Sequence, residues 1–588
     1  MTRRSTWLLL ALLLATRALL VLVAADIHGY GEELGKGAAA KAILDHLPVE
    51  HWRLAYVYHE GGGFVITHLR ALAYSLVGPT LLANKLVAFT TTALLLLATL
   101  RTARAHFGDR AAWCFGLAFV FAPEAFLRFS MLSLGTHFEA CLFFVLVAHF
   151  TLRIAASPAP TTRDFLGLGF TAGFGLYFSL LTLASIVWST LALLVFARHE
   201  LSPRRIAVAL SGAVLGLLPL FWMMSHVGLD ALFVRAKEGG ASAKIPRWAA
   251  LQDVFGALER GDPGAWVLAI AYTLLLGLGV VLVRTNPDVL RRRRVALVAL
   301  VAPVFLALYL ASGMAIPRDN WFFFLRLSPV WVFGTLTAAA CADELFARGT
   351  KAKGACASFA VAALVGVGVY DLAGLASRGW WNPSFVAYQT AHVKGYDYAE
   401  YFDKVQHHLE GTVEDKIAVL RRYDDDPALL LPAISLSLFE HADVSLEEAI
   451  AISKRSHGEQ WKVALTGLRF FVHPRNAGYD LAAAFAAIET VDTEARAPLA
   501  EAVGRAGLGP RFVPAKIAKQ LEFAPPDDLV VPFLRGTGWR IYRAFGLRRD
   551  LAREFLAAQA PRGVGELLAG IQLAEGADWH PSIGATRP

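Results

Sequence analysis

Eleven apolar runs, separated by short loops rich in arginine, leave this chain few places to fold except inside a lipid bilayer. They lie near Trp7–Ala25, Leu81–Leu100, Ala111–Leu127, Phe138–Leu152, Phe165–Phe178, Leu180–Ala197, Ile206–Met224, Trp266–Val283, Val295–Ile316, Trp321–Ala340 and Ala357–Ala373. A hydrophobic share of 56% against 18% charged residues agrees with that class. The expected fold is all-α: a polytopic membrane protein with about 11 transmembrane helices, followed by a soluble helical domain.

The net charge of +8 does not point to nucleic acid, because the basic residues are scattered in clusters between apolar runs. Arg101/Arg104/Arg110, Arg153/Arg163, Arg198/Arg204/Arg205, Arg284 with Arg291–Arg294, and Arg348/Lys351/Lys353 all fall on the side of Arg3 and Arg4. By the positive-inside rule that side is cytoplasmic, and an odd span count puts the C-terminus across an inner (plasma) membrane. The first run also has the outline of a cleaved signal peptide, but its length favours a retained span.

Two lengths refine the count. Phe165 to Ala197 would make a helix of about 50 Å, too long for one span, so two short helices are expected. Phe64 to Val77 is short and contains His68 and Arg70, so it is expected to lie along the interface. The four cysteines, Cys114, Cys141, Cys341 and Cys356, have neither zinc-site nor disulfide spacing and read as small buried apolar residues.

Near Trp380 the long apolar runs stop and charge rises. The expected organisation is a membrane domain over 1–376 with an interfacial first loop over 26–80, a linker over 377–396, and an extracytoplasmic helical domain over 397–588. Similar segments recur around Gly467, Gly504, Gly536/Gly538 and Gly570, which suggests stacked helical hairpins with a small residue where two helices touch. An irregular helical bundle fits nearly as well. No catalytic constellation is visible in this part, so docking of a protein partner is the expected role.

The chemistry sits in the first outside loop. Asp26, His28, Glu32, Glu33, Asp45, His46, Glu50, His51, His59 and Glu60 crowd between two apolar regions. Glu32-Glu33 opens Leu-Gly-Lys-Gly-Ala-Ala-Ala-Lys-Ala-Ile-Leu, the pattern of a short amphipathic helix on the membrane. A carboxylate there could deprotonate a hydroxyl. Asp45, Glu50 and His51 read as solvated loop charges. A second acidic point, Gly135-Thr136-His137-Phe138-Glu139, opens the fourth apolar run, where a carboxylate pairs or lines a cavity. Glu32, Glu60 and Glu139 face one compartment in this topology. With His59 or His137 they could form a divalent-cation or an acid/base site.

The order of these features resembles bacterial GT-C glycosyltransferases, the protein O-mannosyltransferase-like enzymes and the aminoarabinose transferase of lipid A modification. Glu32-Glu33 stands where that family has an acidic pair opening an amphipathic helix, and His59-Glu60-Gly61-Gly62-Gly63 where it has a His-Pro-Pro or Glu-Lys-Pro element. Gly78-Pro79, Asn84-Lys85, Phe121-Ala-Pro123 and Glu139 follow in family order, and Pro317-Arg318 through Arg326 to Pro329 fits a late basic entry into a span. Glu32 replaces the usual Asp, and glycines replace the prolines.

The resemblance implies transfer of a sugar from a polyprenyl-phosphate donor to an acceptor in the cell envelope: a lipid, a glycan or a protein. It implies Glu32, Glu33 and Glu139 as the catalytic carboxylates, with Asp26 and His137 beside them. Lys85, Arg318 and Arg326 would offset the charge of the departing lipid phosphate. His59 and Glu60 would hold a divalent metal cation if one is used. Each of the three basic residues also reads as a side chain snorkelling at a span end. Two other readings stand beside the transferase: a transporter of lipid-linked intermediates, and a non-catalytic scaffold displaying the helical domain.

Overall fold

The computed structural model describes residues 3–23, 31–48, 61–79, 81–156, 159–228, 263–311, 326–378 and most of 401–576. Among the described residues every regular element is a helix. Contacts divide the chain into two units. The first joins Met1–Ala25, His51–Leu69 and Lys85–Trp380; the second joins Asp26–Glu50, Arg70–Asn84 and Trp381–Pro588. The first outside loop is thus split, with both of its outer parts grouped with the C-terminal residues.

In chain order the helices begin with α1 (Arg3–Val23), α2 (Gly31–Leu44), α3 (Gly61–Val77), α4 (Leu81–Phe107), α5 (Asp109–Val120), α6 (Glu124–Phe129) and α7 (Cys141–Ala155). After them come α8 (Thr162–Phe178), α9 (Leu183–Phe196), α10 (Pro203–Val227), α11 (Pro263–Arg284), α12 (Val289–Ala311), α13 (Ser328–Arg348) and α14 (Lys351–Arg378). Among the described residues, seven helices are long and apolar enough to cross a membrane, and α7 and α9 belong to shorter apolar helices.

The expected count of eleven is not confirmed, and one of the expected runs is interrupted for a local reason. The run Ala111–Leu127 is two helices, α5 and α6, interrupted at Phe121 and restarted at Pro123. Pro123 lacks the amide that would continue α5 and biases Ala122 away from the helical region. α13 starts at Ser328, with Pro329 in its first turn. The long run after Phe165 is broken at Ser179, whose backbone is extended, as its length requires.

Thr161 and Asp164 form a capping box that starts α8, and Arg153 reaches the same carboxylate at 2.6 Å. Along α8 and α10, small residues four apart face each other. A Cβ on Gly169 would lie 1.8 Å from the Ala209 carbonyl oxygen, and one on Gly216 2.5 Å from that of Phe170. This is the small-xxx-small geometry that lets helix backbones touch where lipid supplies no hydrophobic drive.

At one end of these helices the arginine run at the start of α12 satisfies carbonyls that helix ends leave without partners. Arg291 donates to the Phe107 carbonyl at 2.8 Å and pairs with Asp343 and with Glu344. Arg293 reaches the Ala155 carbonyl at 3.0 Å, and Arg294 that of Ala156 at 3.0 Å. The residues that mark the loops by charge therefore also clamp the ends of α4 and α7.

Of the cysteines, Cys141 and Cys341 are buried, Cys114 is half-buried and Cys356 is exposed; none forms a disulfide. Exposure of Cys356 corrects the expectation of burial for that residue, since its helix turns it outward.

In the second unit one apolar core runs from Leu409 and Phe439 through Trp461, Phe485 and Val503 to Phe533 and Ile571. Side-chain caps start its helices: Thr412 with Asp415 for Val413–Leu420, Ser445 for Leu446–His457, and Asp480 for Leu481–Glu489. The glycines of the recurring segments sit where helices touch. A Cβ on Gly467 would meet the Pro432 oxygen at 1.9 Å, and one on Gly504 the Phe533 oxygen at 2.2 Å. Gly538 and Gly570 are equally close to Leu567 and Arg535.

Candidate active site

In the first unit, three candidate elements meet at the segment from Ser130 to Glu139, which follows α6 and precedes α7. Glu139 is buried, and its Oε1 accepts a hydrogen bond from the Gly135 amide at 2.9 Å. Lys85, near the start of α4, is fully buried and donates from Nζ to the Met131 carbonyl at 3.0 Å. It does not snorkel. Thr92, two turns further along α4, donates to the Ser130 carbonyl at 3.0 Å. The sequence signal for this arrangement was the polar residue opening an otherwise apolar run.

The third element is the start of α3. Gly62 lies so close to Gly135 that a Cβ on it would stand 1.5 Å from the Gly135 oxygen, and a Cβ on Gly61 would be 2.5 Å from Tyr177. Gly135 has φ +79, a conformation that other L-residues rarely adopt. Prolines at these helix-start positions would not fit the same crossing. The glycines at the start of α3 are therefore the residues this contact demands. They join the element that follows His59-Glu60 to the loop that carries Glu139.

Arg17 completes the surroundings. It is buried inside α1, donates to the Ser130 hydroxyl at 2.8 Å and to the Val120 carbonyl at 2.6 Å, and so caps the last turn of α5. Its partners make it structural.

In the second unit, Glu33 is fully buried in the first turn of α2. Arg70, also fully buried, donates to its backbone carbonyl at 2.6 Å and stands 3.9 Å from its carboxylate. Glu32 precedes it in the same helix. The expectation that α2 lies on the membrane as an amphipathic helix is corrected: Lys36, Ala38, Ala39, Ala40, Lys41 and Ala42 are all buried. Ala38 and Ala42 belong to the core that contains Tyr401 and Phe402. Asp45, expected to be solvated, is buried too, with Lys41 on its carboxylate at 2.6 Å.

Arg326 is half-buried, with Nη1 3.5 Å from the Tyr309 hydroxyl, at the limit of hydrogen bonding. His137 is half-buried on the Glu139 segment. Asp26, Glu50, His51, His59, Glu60 and Arg318 lie outside the described residues, as does the Glu32 side chain. Among the described residues no three His, Cys, Asp or Glu side chains gather as a metal site.

No family model and no curated protein matches this chain. Among solved structures it is similar to ArnT from Cupriavidus metallidurans bound to undecaprenyl phosphate, with a TM-score of 0.45 and 15% identity over 79% of this chain and 77% of that one. The apo state of the same protein gives 0.40 and 14%, over 99% and 78%. The archaeal oligosaccharyltransferase AglB from Archaeoglobus fulgidus, in complex with an inhibitory peptide and a dolichol-phosphate, gives 0.38 and 13%, over 71% and 60%.

Sequence reading left three contributors without a role. Arg70 holds Glu33, and Tyr401 and Tyr423 both donate to Asp45, at 2.9 and 2.6 Å. Arg70 carried a signal, a cation inside an apolar helix. The tyrosines carried none, being ordinary aromatic residues in a helical region.

Proposed function

We propose that this protein is an integral membrane glycosyltransferase that moves a sugar from a polyprenyl-phosphate donor to an acceptor outside the cytoplasm. The observation that carries the reading is the buried Ser130–Glu139 segment, which presents Glu139, receives Lys85 at Met131, and touches α3 through Gly62 and Gly135. A carboxylate and an ammonium brought to one short segment inside an apolar helical unit are the kind of groups that line a cavity for a charged headgroup.

In this reading the acceptor oxygen attacks the anomeric carbon as the bond to the phosphate oxygen breaks. The acceptor proton passes to Glu32, and polyprenyl phosphate leaves with its charge offset by Lys85, Arg318 and Arg326. Glu139 orders the donor side. Glu33, closed in with Arg70, fixes the helix rather than taking the proton. His59 and Glu60 are the residues that would hold a divalent cation. The envelope acceptor, the inner-membrane location and the extracytoplasmic placing of the C-terminal unit belong to the same proposal.

The test is mass spectrometry of envelope glycans and lipids from the native strain, a deletion, and deletions complemented with Glu32→Gln, Glu139→Gln or Lys85→Met protein verified in the membrane. A sugar-sized mass that is lost on deletion and restored only by the unsubstituted protein is expected. Full restoration by all three variants would sink the reading.

A further inference from the structure

The second unit contains a buried polar cluster that the transferase reading does not use. Asp45 Oδ2 accepts from Lys41 Nζ at 2.6 Å, from Tyr423 at 2.6 Å and from Tyr401 at 2.9 Å, and the two hydroxyls are 2.9 Å apart. The Lys41 ammonium also lies over both rings, 4.8 Å from the Tyr401 centroid and 5.5 Å from that of Tyr423. All four residues are buried. Burial pushes the Lys41 ammonium below its ordinary range, against the pull of Asp45, and pushes both tyrosine hydroxyls up.

The backbone around Asp45 is as specific as its side chain. Leu47 N–H bonds the Ala42 carbonyl at 2.9 Å and His46 N–H that of Ile43 at 3.2 Å, a Schellman end to α2. The left-handed position is His46, φ 53, and among the described residues it is the only one other than glycine with positive φ. Arg422 adds a contact of 3.4 Å to the His46 carbonyl. Such a conformation persists only where neighbours over-determine it. At its other end the same helix is held through Glu33 by Arg70.

From this geometry we infer that the C-terminal residues of the second unit are a positioning element for α2: Tyr401 and Tyr423, through Asp45 and Lys41, lock the helix that carries Glu32 and Glu33. A 14-residue helix fixed in its last turn has its first turn fixed as well. The consequence for catalysis rests on the transferase reading; the lock itself does not.

The test uses full-length protein in lipid nanodiscs, with Tyr401→Phe, the double variant Tyr401→Phe/Tyr423→Phe, and Arg455→Ala as a control that breaks only an exposed pair in the same unit. Hydrogen exchange of residues 31–47 should quicken about tenfold in the double variant, the equivalent of one buried hydrogen bond, with residues 446–506 unchanged. The single variant should show a smaller change and the control none. A purely architectural role would loosen both segments together. Unchanged exchange at 31–47, or equal quickening in both segments, overturns the lock. Envelope product is read in parallel: its fall at unchanged protein level agrees with positioning, and full product despite loosened exchange overturns the positioning role. Absence of product from the unsubstituted protein defeats the transferase reading alone, because exchange still decides the lock.

Discussion

Gly62 rests its Cα against the carbonyl of Gly135, and a methyl group at Gly62 would stand 1.5 Å from that oxygen. Two stretches that are far apart in the chain are thereby fixed backbone to backbone, one following His59-Glu60 and the other leading to Glu139.

Gly62→Ala should be among the most damaging single substitutions in the membrane unit, costing about 1–3 kcal/mol or more from forced backbone displacement. Gly277→Ala, in a helix with nothing within 4 Å of the added carbon, should be neutral or stabilising by up to about 1 kcal/mol. Thermal unfolding of both purified proteins in detergent separates the two. Equal midpoints would show that the crossing is loose.

Arg291 should matter far more than its neighbour Arg292. Removing Arg291 leaves Glu344, almost entirely buried, without its closest cation, at a cost of about 3–5 kcal/mol for a broken buried pair. Arg292 is half-buried, and its side-chain hydrogen bond to the Arg284 carbonyl is long at 3.3 Å, so Arg292→Ala should cost under about 1 kcal/mol. Membrane yield and unfolding midpoint of the two alanine variants give the comparison.

His46→Gly should stabilise the end of α2 or leave it unchanged, because glycine takes positive φ without the side-chain penalty of about 1 kcal/mol. Hydrogen exchange of residues 41–48 should slow or stay level. Faster exchange would mean that the imidazole itself supports the turn.

The C-terminal unit should weaken in acid through His457. Burial, with a smaller push from Arg421, lowers this histidine to about 4. The unfolded chain then binds the proton more readily than the folded one, so stability is full above about pH 6.5 and is lost as pH falls towards 4. The loss is on the order of 2–3 kcal/mol, and His457→Leu should flatten that part of the pH profile. Unfolding midpoints of the two full-length proteins from pH 7 to pH 4 measure the difference.

The membrane class, the break in the run after Phe165 and the polar first loop were legible in the sequence, because apolar length, helix breakers and charge clusters act over a few residues. The glycines of the recurring C-terminal segments were legible as contact points for the same reason. The site was legible only in part. Glu139 and Lys85 stood out as charges at apolar boundaries, but the sequence said nothing of Met131, whose carbonyl receives the lysine.

By itself, then, the sequence determined that the chain is helical, membrane-embedded and acidic in its first loop, since these follow from local composition and period. Only the tertiary structure decided that Asp45 is buried rather than solvated and that α2 joins the C-terminal core. Asp45 meets Tyr401 and Tyr423 across separations of 356 and 378 residues, and no local pattern encodes which distant hydroxyls will satisfy a buried carboxylate.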